Sequence, residues 1–298
     1  MYECEFVQRL KPNTLQDYRQ AFSVLMRLQP STSIESMTPS TIALFFNQLQ
    51  ERNRKIGKGQ IVTGIKKSTI LTYWNKLNGF FAWMVLRGYL QCNPLLGLKR
   101  PHVIHDAQKF LDKDQIEKII AAILTTAYNP FLLKRNIVIF YLFLFCGLRR
   151  NELLLLQLRD IDLDKRMLTV RAITSKVERT RHIPLNSQLV LHLKDYISAR
   201  KGYKTQYLIT SSTRDTGLTP DGLKHLVAAL KEASGIHFHV HQLRHTFAVN
   251  FLNYSGNIAK LQQLLGHTNP AMTLHYTMCL PPQTMRSDVE NMSIEALI

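Results

Sequence analysis

Ten consecutive apolar residues, Ile137 to Cys146, constrain the fold more than any other stretch of this chain. The run is too short to cross a bilayer, which takes about 20 residues as a helix. A helix that is apolar all round is stable only when other elements cover it on every side. Asn136 to Cys146 therefore reads as a buried helix with a domain built around it. Directly after it comes Gly147-Leu148-Arg149-Arg150-Asn151-Glu152-Leu153. A guanidinium delivered from so rigid a base is well placed to grip a phosphate with two hydrogen bonds. Glu152, three residues after Arg149, shares its helical face and can orient it. Taken alone, an Arg-x-x-Glu step is usually a surface ion pair.

The first hundred residues also read as helices. Leu15, Tyr18, Phe22, Leu25 and Leu28 recur at near-helical spacing over Thr14 to Leu28. Thr38-Pro39 is a cap followed by a first-turn proline, opening a helix through Leu49. Ser68 caps a third helix to Arg87, with Leu71, Trp74, Leu77, Phe81 and Met84 along it and Gly88 ending it. Asn93-Pro94 starts a turn. The segment Glu51 to Lys67 holds Arg52, Arg54, Lys55, Lys58, Lys66, Lys67 and three glycines, and is expected to be a mobile basic loop. Contact with DNA phosphates is one reading of it and a solvated loop the other. Lys99 and Arg100, before Pro101, extend the basic set. The expected division is a helical domain over residues 1–101, a linker over 102–109 and a second domain over 110–298. In the second, Asp112 caps a helix over Gln115 to Leu124. Arg166 to Ala172 and His182 to Pro184 form short strands joined by a polar turn. Helices follow from Gln188, with starts at Thr219-Pro220-Asp221, Leu243 and Ala259. The fold class is mainly α with a small β-sheet.

Composition narrows the partner. The chain carries a net charge of +17, the signature of a polyanion-binding protein. Up to residue 106 there are 14 Lys and Arg against 6 Asp and Glu, and beyond it 24 against 15. Both parts can therefore face the same polyanion. Cys4, Cys92, Cys146 and Cys279 are widely spaced, so neither a disulfide framework nor a zinc ribbon is indicated. No signal region opens the chain and no span is long enough for a membrane, so a cytoplasmic protein is expected.

Three further elements carry chemistry. Lys176 lies on the polar turn between the two strands, beside Arg179 and Arg181; most turn lysines are merely solvated. In His241-Gln242-Leu243-Arg244-His245, His241 and Arg244 stand one turn apart and can address one group. His237, His239 and His241 alternate, as metal ligands on a strand would, but no carboxylate or cysteine cluster accompanies them. Structural roles are expected for His237, His239 and His245. Finally, Leu265-Gly266-His267 precedes Tyr276 by nine residues.

In that order, Gly-Leu-Arg-x-x-Glu, a hairpin lysine, His-x-Leu-Arg-His-Thr, Leu-Gly-His and a tyrosine nine residues on, the chain resembles the tyrosine recombinase (phage integrase) family over about residues 110 to 280. Residues 68–101 resemble that family's core-binding domain. The resemblance implies a helical, SAM-like DNA-binding domain and a catalytic domain forming a C-shaped clamp. It further implies cleavage and rejoining of double-stranded DNA at a specific site through a 3′-phosphotyrosyl intermediate and a Holliday junction, by a homo-tetramer on DNA that is monomeric in solution. Neither metal nor other cofactor is expected. Tyr276 would be the nucleophile, and Arg149 and Arg244 the clamp on the scissile phosphate. His241 would move the Tyr276 proton, Lys176 would be the general acid, and His267 would hydrogen-bond the phosphate. The start of the helical region near the N-terminus suggests a simple Xer-like or Cre-like recombinase without an added arm-binding domain. Met292 to Ile298 would either dock on a neighbouring protomer or form a disordered tail. A type IB topoisomerase and an inactive DNA-binding regulator are the rival readings.

The chemistry is consistent with these residue types. A tyrosine hydroxyl, with a free pKa of about 10, needs its proton removed and the phosphate charge neutralised. Arginines and a histidine place donors where that charge grows, each worth on the order of 3 kcal/mol.

Overall fold

Thr38, Asp112 and Thr219 cap the helices that the sequence starts there. The computed structural model describes residues 12–30, 33, 36–57, 59–103, 110–174 and 179–280. Lys58, Lys176, positions 104–109 of the expected linker and the segment Met292 to Ile298 lie outside the described residues. The chain divides into two compact units, Met1–His105 and Asp106–Ile298.

The first unit packs α1 (Pro12–Leu28), α2 (Pro39–Glu51) and α3 (Lys67–Leu86) around Phe45, Leu49, Trp74, Leu77 and Phe81. Thr38 accepts the Thr41 N–H and Pro39 follows it, as expected. The third cap differs: Lys66, not Ser68, precedes α3 and caps nothing with its side chain. The expected loop over Glu51 to Lys67 is largely a hairpin. Strands β1 (Asn53–Ile56) and β2 (Gln60–Thr63) pair antiparallel, Asn53 opposite Thr63 and Ile56 opposite Gln60. Their turn contains Gly57 and Gly59, both at positive φ, where glycine carries no steric cost. The hairpin buries little apolar surface, so the alternation that announces a strand is absent from it.

In the second unit α5 (Pro130–Cys146) is the axis. It begins six residues before the expected Asn136, because Asn129 caps it and Pro130 occupies its first turn. Leu142, Phe143 and Cys146 are fully enclosed. Around α5 lie α4 (Lys113–Thr126), opened by a reciprocal Asp112–Gln115 capping box, α7 (Ser187–Ala199) and α9 (Val240–Ser255); α8 (Pro220–Ser234) packs on α4. After α5 come the short α6 (Arg150–Leu154) and an antiparallel sheet in the order β3-β4-β5. Its strands are β3 (Ile161–Asp162), which the sequence did not announce, β4 (Met167–Val170), shorter than expected, and β5 (Arg181–Pro184). Val170 faces Arg181 and Leu168 faces Ile183. Beyond α9, α10 (Ile258–Leu265), α11 (Ala271–Leu274) and a 3-10 turn at His275–Cys279 build a second small core of Phe247, Val249, Leu252, Leu261, Leu265 and Tyr276.

Candidate active site

Four chain segments meet where α5 ends. Gly147 terminates α5 with φ 57° and ψ 33°, and a Cβ there would collide with the Phe247 ring. The left-handed turn sends the chain straight into α6, where Arg149 is the capping residue. Glu152 closes that cap. Its Oε2 accepts the Arg149 backbone N–H at 2.8 Å, and its Oε1 accepts Arg149 Nη1 at 2.9 Å. Glu152 thus bonds both the backbone and the side chain of Arg149.

Glu152 holds a second arginine. Arg181, at the head of β5, donates Nη2 to Oε2 at 2.7 Å and Nη1 to Oε1 at 3.0 Å. Burial alone would raise the Glu152 carboxyl, but Arg181 and then Arg149 outweigh it and hold it down at about 2. Arg244, on α9, completes the group, with Nη1 donating to Gly147 O at 2.6 Å and Nη2 to Leu265 O at 2.8 Å. Burial, with Arg149 nearby, lowers the Arg244 guanidinium to about 9. Three guanidiniums share one carboxylate, so the cluster keeps a positive field suited to an anion. Side-chain exposure is 19% for Arg149, 7% for Arg181 and 1% for Arg244, so Arg149 is the one that faces outward.

His267 follows Gly266, the left-handed cap of α10. Its Nε2 lies 3.1 Å from Arg244 Nη2, a donor, and must therefore accept. The proton sits on Nδ1 and is given to Thr273 Oγ1 at 2.9 Å. Burial first, then Arg244 and Arg149, depress His267 to about 4, so the ring is neutral near pH 7. Both ring nitrogens are engaged within the protein, so the direct phosphate contact expected of His267 requires an exchange of partners.

Tyr276 is buried, its ring parallel to that of His267 at 6.4 Å. Its hydroxyl lies 2.9 Å from Nδ1 of His245. His241 was assigned the Tyr276 proton and His245 a structural part; His245 makes the contact, and the His241 ring stands behind it at 4.3 Å. Helix α9 begins at Val240 rather than Leu243, which puts His241 inside its first turn. The alternating strand that would align His237, His239 and His241 does not form: His239 stands just before α9 without capping it, and His237 is exposed. Among the described residues no group of three His, Cys, Asp or Glu is arranged to hold a metal ion.

The candidate DNA contacts fall in the first unit. Lys55, Lys66, Lys67, Lys99 and Arg100 are exposed. Lys67 and Lys99 meet on one groove with Phe46, Ile70, Trp74 and Leu98. Arg52 is half-buried, and Arg54 donates Nε to Gly64 O at 2.8 Å, bracing the hairpin.

Two residues of the site escaped the sequence reading, and His245 was given only a structural part. Arg181 was noted only as a neighbour of Lys176, although its alternation with Ile183 and Leu185, all buried, marks an inward face. Thr273 gave no signal beyond lying near His267.

The phage integrase family model matches residues 109–281. The tyrosine recombinase XerC of Alcanivorax borkumensis is 29% identical over 275 residues, covering 91% of this chain and 84% of that one. The fold is similar to that of a XerH site-specific recombinase bound to palindromic difH substrate in a post-cleavage complex. There the TM-score is 0.75 at 18% identity, over 96% of this chain and 82% of that one. It is also similar to the Tn1549 transposon integrase in complex with transposon right end DNA, with a TM-score of 0.74 at 20% identity over 98% of both chains.

Proposed function

The chain belongs to the phage integrase family, and on that premise we propose that it is a site-specific recombinase whose nucleophile is Tyr276. The observation that carries the reading is the Tyr276 phenol buried beside a cationic cluster built on Glu152, where Arg244 and Arg149 act on its charge. Burial raises the pKa of this phenol, so it attacks only when its proton is removed and the phosphate charge is countered.

In this mechanism Arg149 and Arg244 hold the non-bridging oxygens of the scissile phosphate. Tyr276 Oη forms the bond to phosphorus, and the bond from phosphorus to the 5′ oxygen breaks. Lys176 protonates the departing oxygen. The tyrosine proton leaves by way of His245, with His241 behind it. The phosphodiester energy is kept in a 3′-phosphotyrosyl bond, so a 5′ hydroxyl from another strand can reverse the step without ATP. The arginines supply the charge neutralisation that Mg²⁺ supplies in other phosphoryl transfers.

The partner is double-stranded DNA at a specific site; the similar XerH recombinase is bound to palindromic difH substrate and the similar Tn1549 integrase is in complex with transposon right end DNA. Residues 1–101 would act as the core-binding domain and 110–298 as the catalytic domain. Four protomers would exchange strands through a Holliday junction. No helix among the described residues is long and apolar enough to cross a membrane, and the activity belongs in the cytoplasm with its DNA.

The test is a nicked suicide substrate carrying DNA that flanks the gene, incubated with protein in EDTA and run on a denaturing gel. A slow, protease-sensitive band supports the reading. Failure to form it on flanking or random genomic DNA refutes it. Relaxation of any supercoiled plasmid, whatever its sequence, would point to a topoisomerase instead.

A further inference from the structure

Arg181 is tied to three parts of the site at once. It grips both oxygens of Glu152, at 2.7 and 3.0 Å, and its Nε donates to Leu264 O at 2.7 Å. Leu264 lies in the last turn of α10, three residues before His267. The chain is packed onto the Arg181 stem there: a Cβ on Gly266 would stand 3.1 Å from Arg181 Cδ. In sequence, Arg181 opens β5 and follows Lys176 by five residues. One guanidinium therefore joins the strand that leaves the lysine turn, the cap that presents Arg149 and the helix end that presents His267.

Its donors point inward. With Nε, Nη1 and Nη2 all bonded and the side chain 7% exposed, Arg181 is poorly placed to reach a ligand itself. Each Glu152 oxygen takes one bond from Arg181 and one from Arg149. Removing Arg181 would leave a buried carboxylate half-satisfied, free to turn and to carry Arg149 with it. We propose that Arg181 is a positioning residue for strand transfer, acting through Glu152 to hold Arg149 where the phosphate charge is neutralised. This rests on the recombinase reading of the site.

Arg181→Lys keeps the charge and loses the two-pronged grip. The assay is single-turnover adduct formation on two nicked substrates, one normal and one with a methylphosphonate at the scissile position, which carries no charge for Arg149 to neutralise. A displacement of about 1 Å in a catalytic group costs about a hundredfold. Arg181→Lys should therefore slow the normal substrate about a hundredfold, leave DNA affinity unchanged and lose most of its deficit on the methylphosphonate. Adding it to Glu152→Gln should cost nothing further. Equal slowing on both substrates, wild-type rates, or losses that multiply would overturn the proposal.

If Arg181→Lys does not fold, Arg181→Met with Glu152→Gln removes both buried charges together and must show the same rescue by the methylphosphonate. A wild-type chain that forms no adduct contradicts the recombinase reading instead. Positioning is then decided by the ¹⁵N-labelled Arg149 side-chain resonances, which should be sharp in wild type and broadened in Arg181→Lys. Unchanged resonances would overturn it.

Discussion

The Tyr276 hydroxyl lies 2.9 Å from Nδ1 of His245, one helical turn beyond His241 and adjacent to Arg244 in sequence. Burial, followed by His241 and Arg244, depresses His245 to about 3, so it meets the phenol as a neutral imidazole. The proposed nucleophile therefore rests buried with its polar atom satisfied.

Removing that partner should leave a buried hydroxyl unpaired, at about 1–3 kcal/mol. His245→Phe is expected to lower the stability of the second unit by about that amount. Tyr276→Phe in the same background should restore part of it, giving a coupling of about 1 kcal/mol. Denaturant unfolding of the four chains of this cycle measures it; strictly additive effects would show that the pair does not interact.

Acid should weaken the second unit in two overlapping windows. His267 at about 4 and His245 at about 3 lie below the ordinary 6.5. The unfolded chain therefore takes up protons first, and stability falls as pH drops from 6.5 through those values. Glu152 at about 2 lies below its ordinary 4.5, so its contribution is complete above 4.5 and is lost toward 2. Thermal midpoints recorded between pH 7 and 3 should decline throughout. His267→Gln should flatten the upper part of the curve, and a midpoint constant down to pH 4.5 would contradict the assignment.

Gly147→Ala should be costly for two reasons. The left-handed backbone costs an alanine about 1–2 kcal/mol, and the new methyl meets the Phe247 ring, an overpacking cost of about 1–3 kcal/mol. Chemical unfolding should reveal the sum, and Phe247→Ala added to it should relieve only the second part. A Gly147→Ala chain as stable as wild type would show that the turn is not required.

The expected basic contacts make a prediction about salt. If Lys67 and Lys99 both touch phosphates, replacing both with alanine should flatten the slope of log affinity against log salt by about 0.9 for each contact. The loss should be the same on every DNA sequence. Binding titrations at several salt concentrations test it, and an unchanged slope removes these lysines from the interface.

Most helices were legible because their ends are chemical signals: Thr38-Pro39, Asp112 with Gln115, and Thr219-Pro220 cap as read. The family was legible from the order of its motifs. The β1–β2 hairpin was not, because polar, exposed strands carry no alternation. The first six residues of α5 were missed because Lys134 and Arg135 interrupt the apolar pattern, although Arg135 is buried. The partners of Arg181 and His245 could not be read because the contacts cross 29 and 31 residues of chain, to Glu152 and Tyr276. No local pattern encodes those distances.

The central claim is that the phenol of Tyr276 becomes bonded to DNA. The most direct measurement is mass spectrometry of the protease-digested adduct from the suicide substrate in EDTA. The expected product is a nucleotide joined through its 3′ phosphate to Tyr276, with no adduct from Tyr276→Phe despite normal DNA binding. A bond to another residue, a link through the 5′ end, or an adduct that persists in Tyr276→Phe would contradict it.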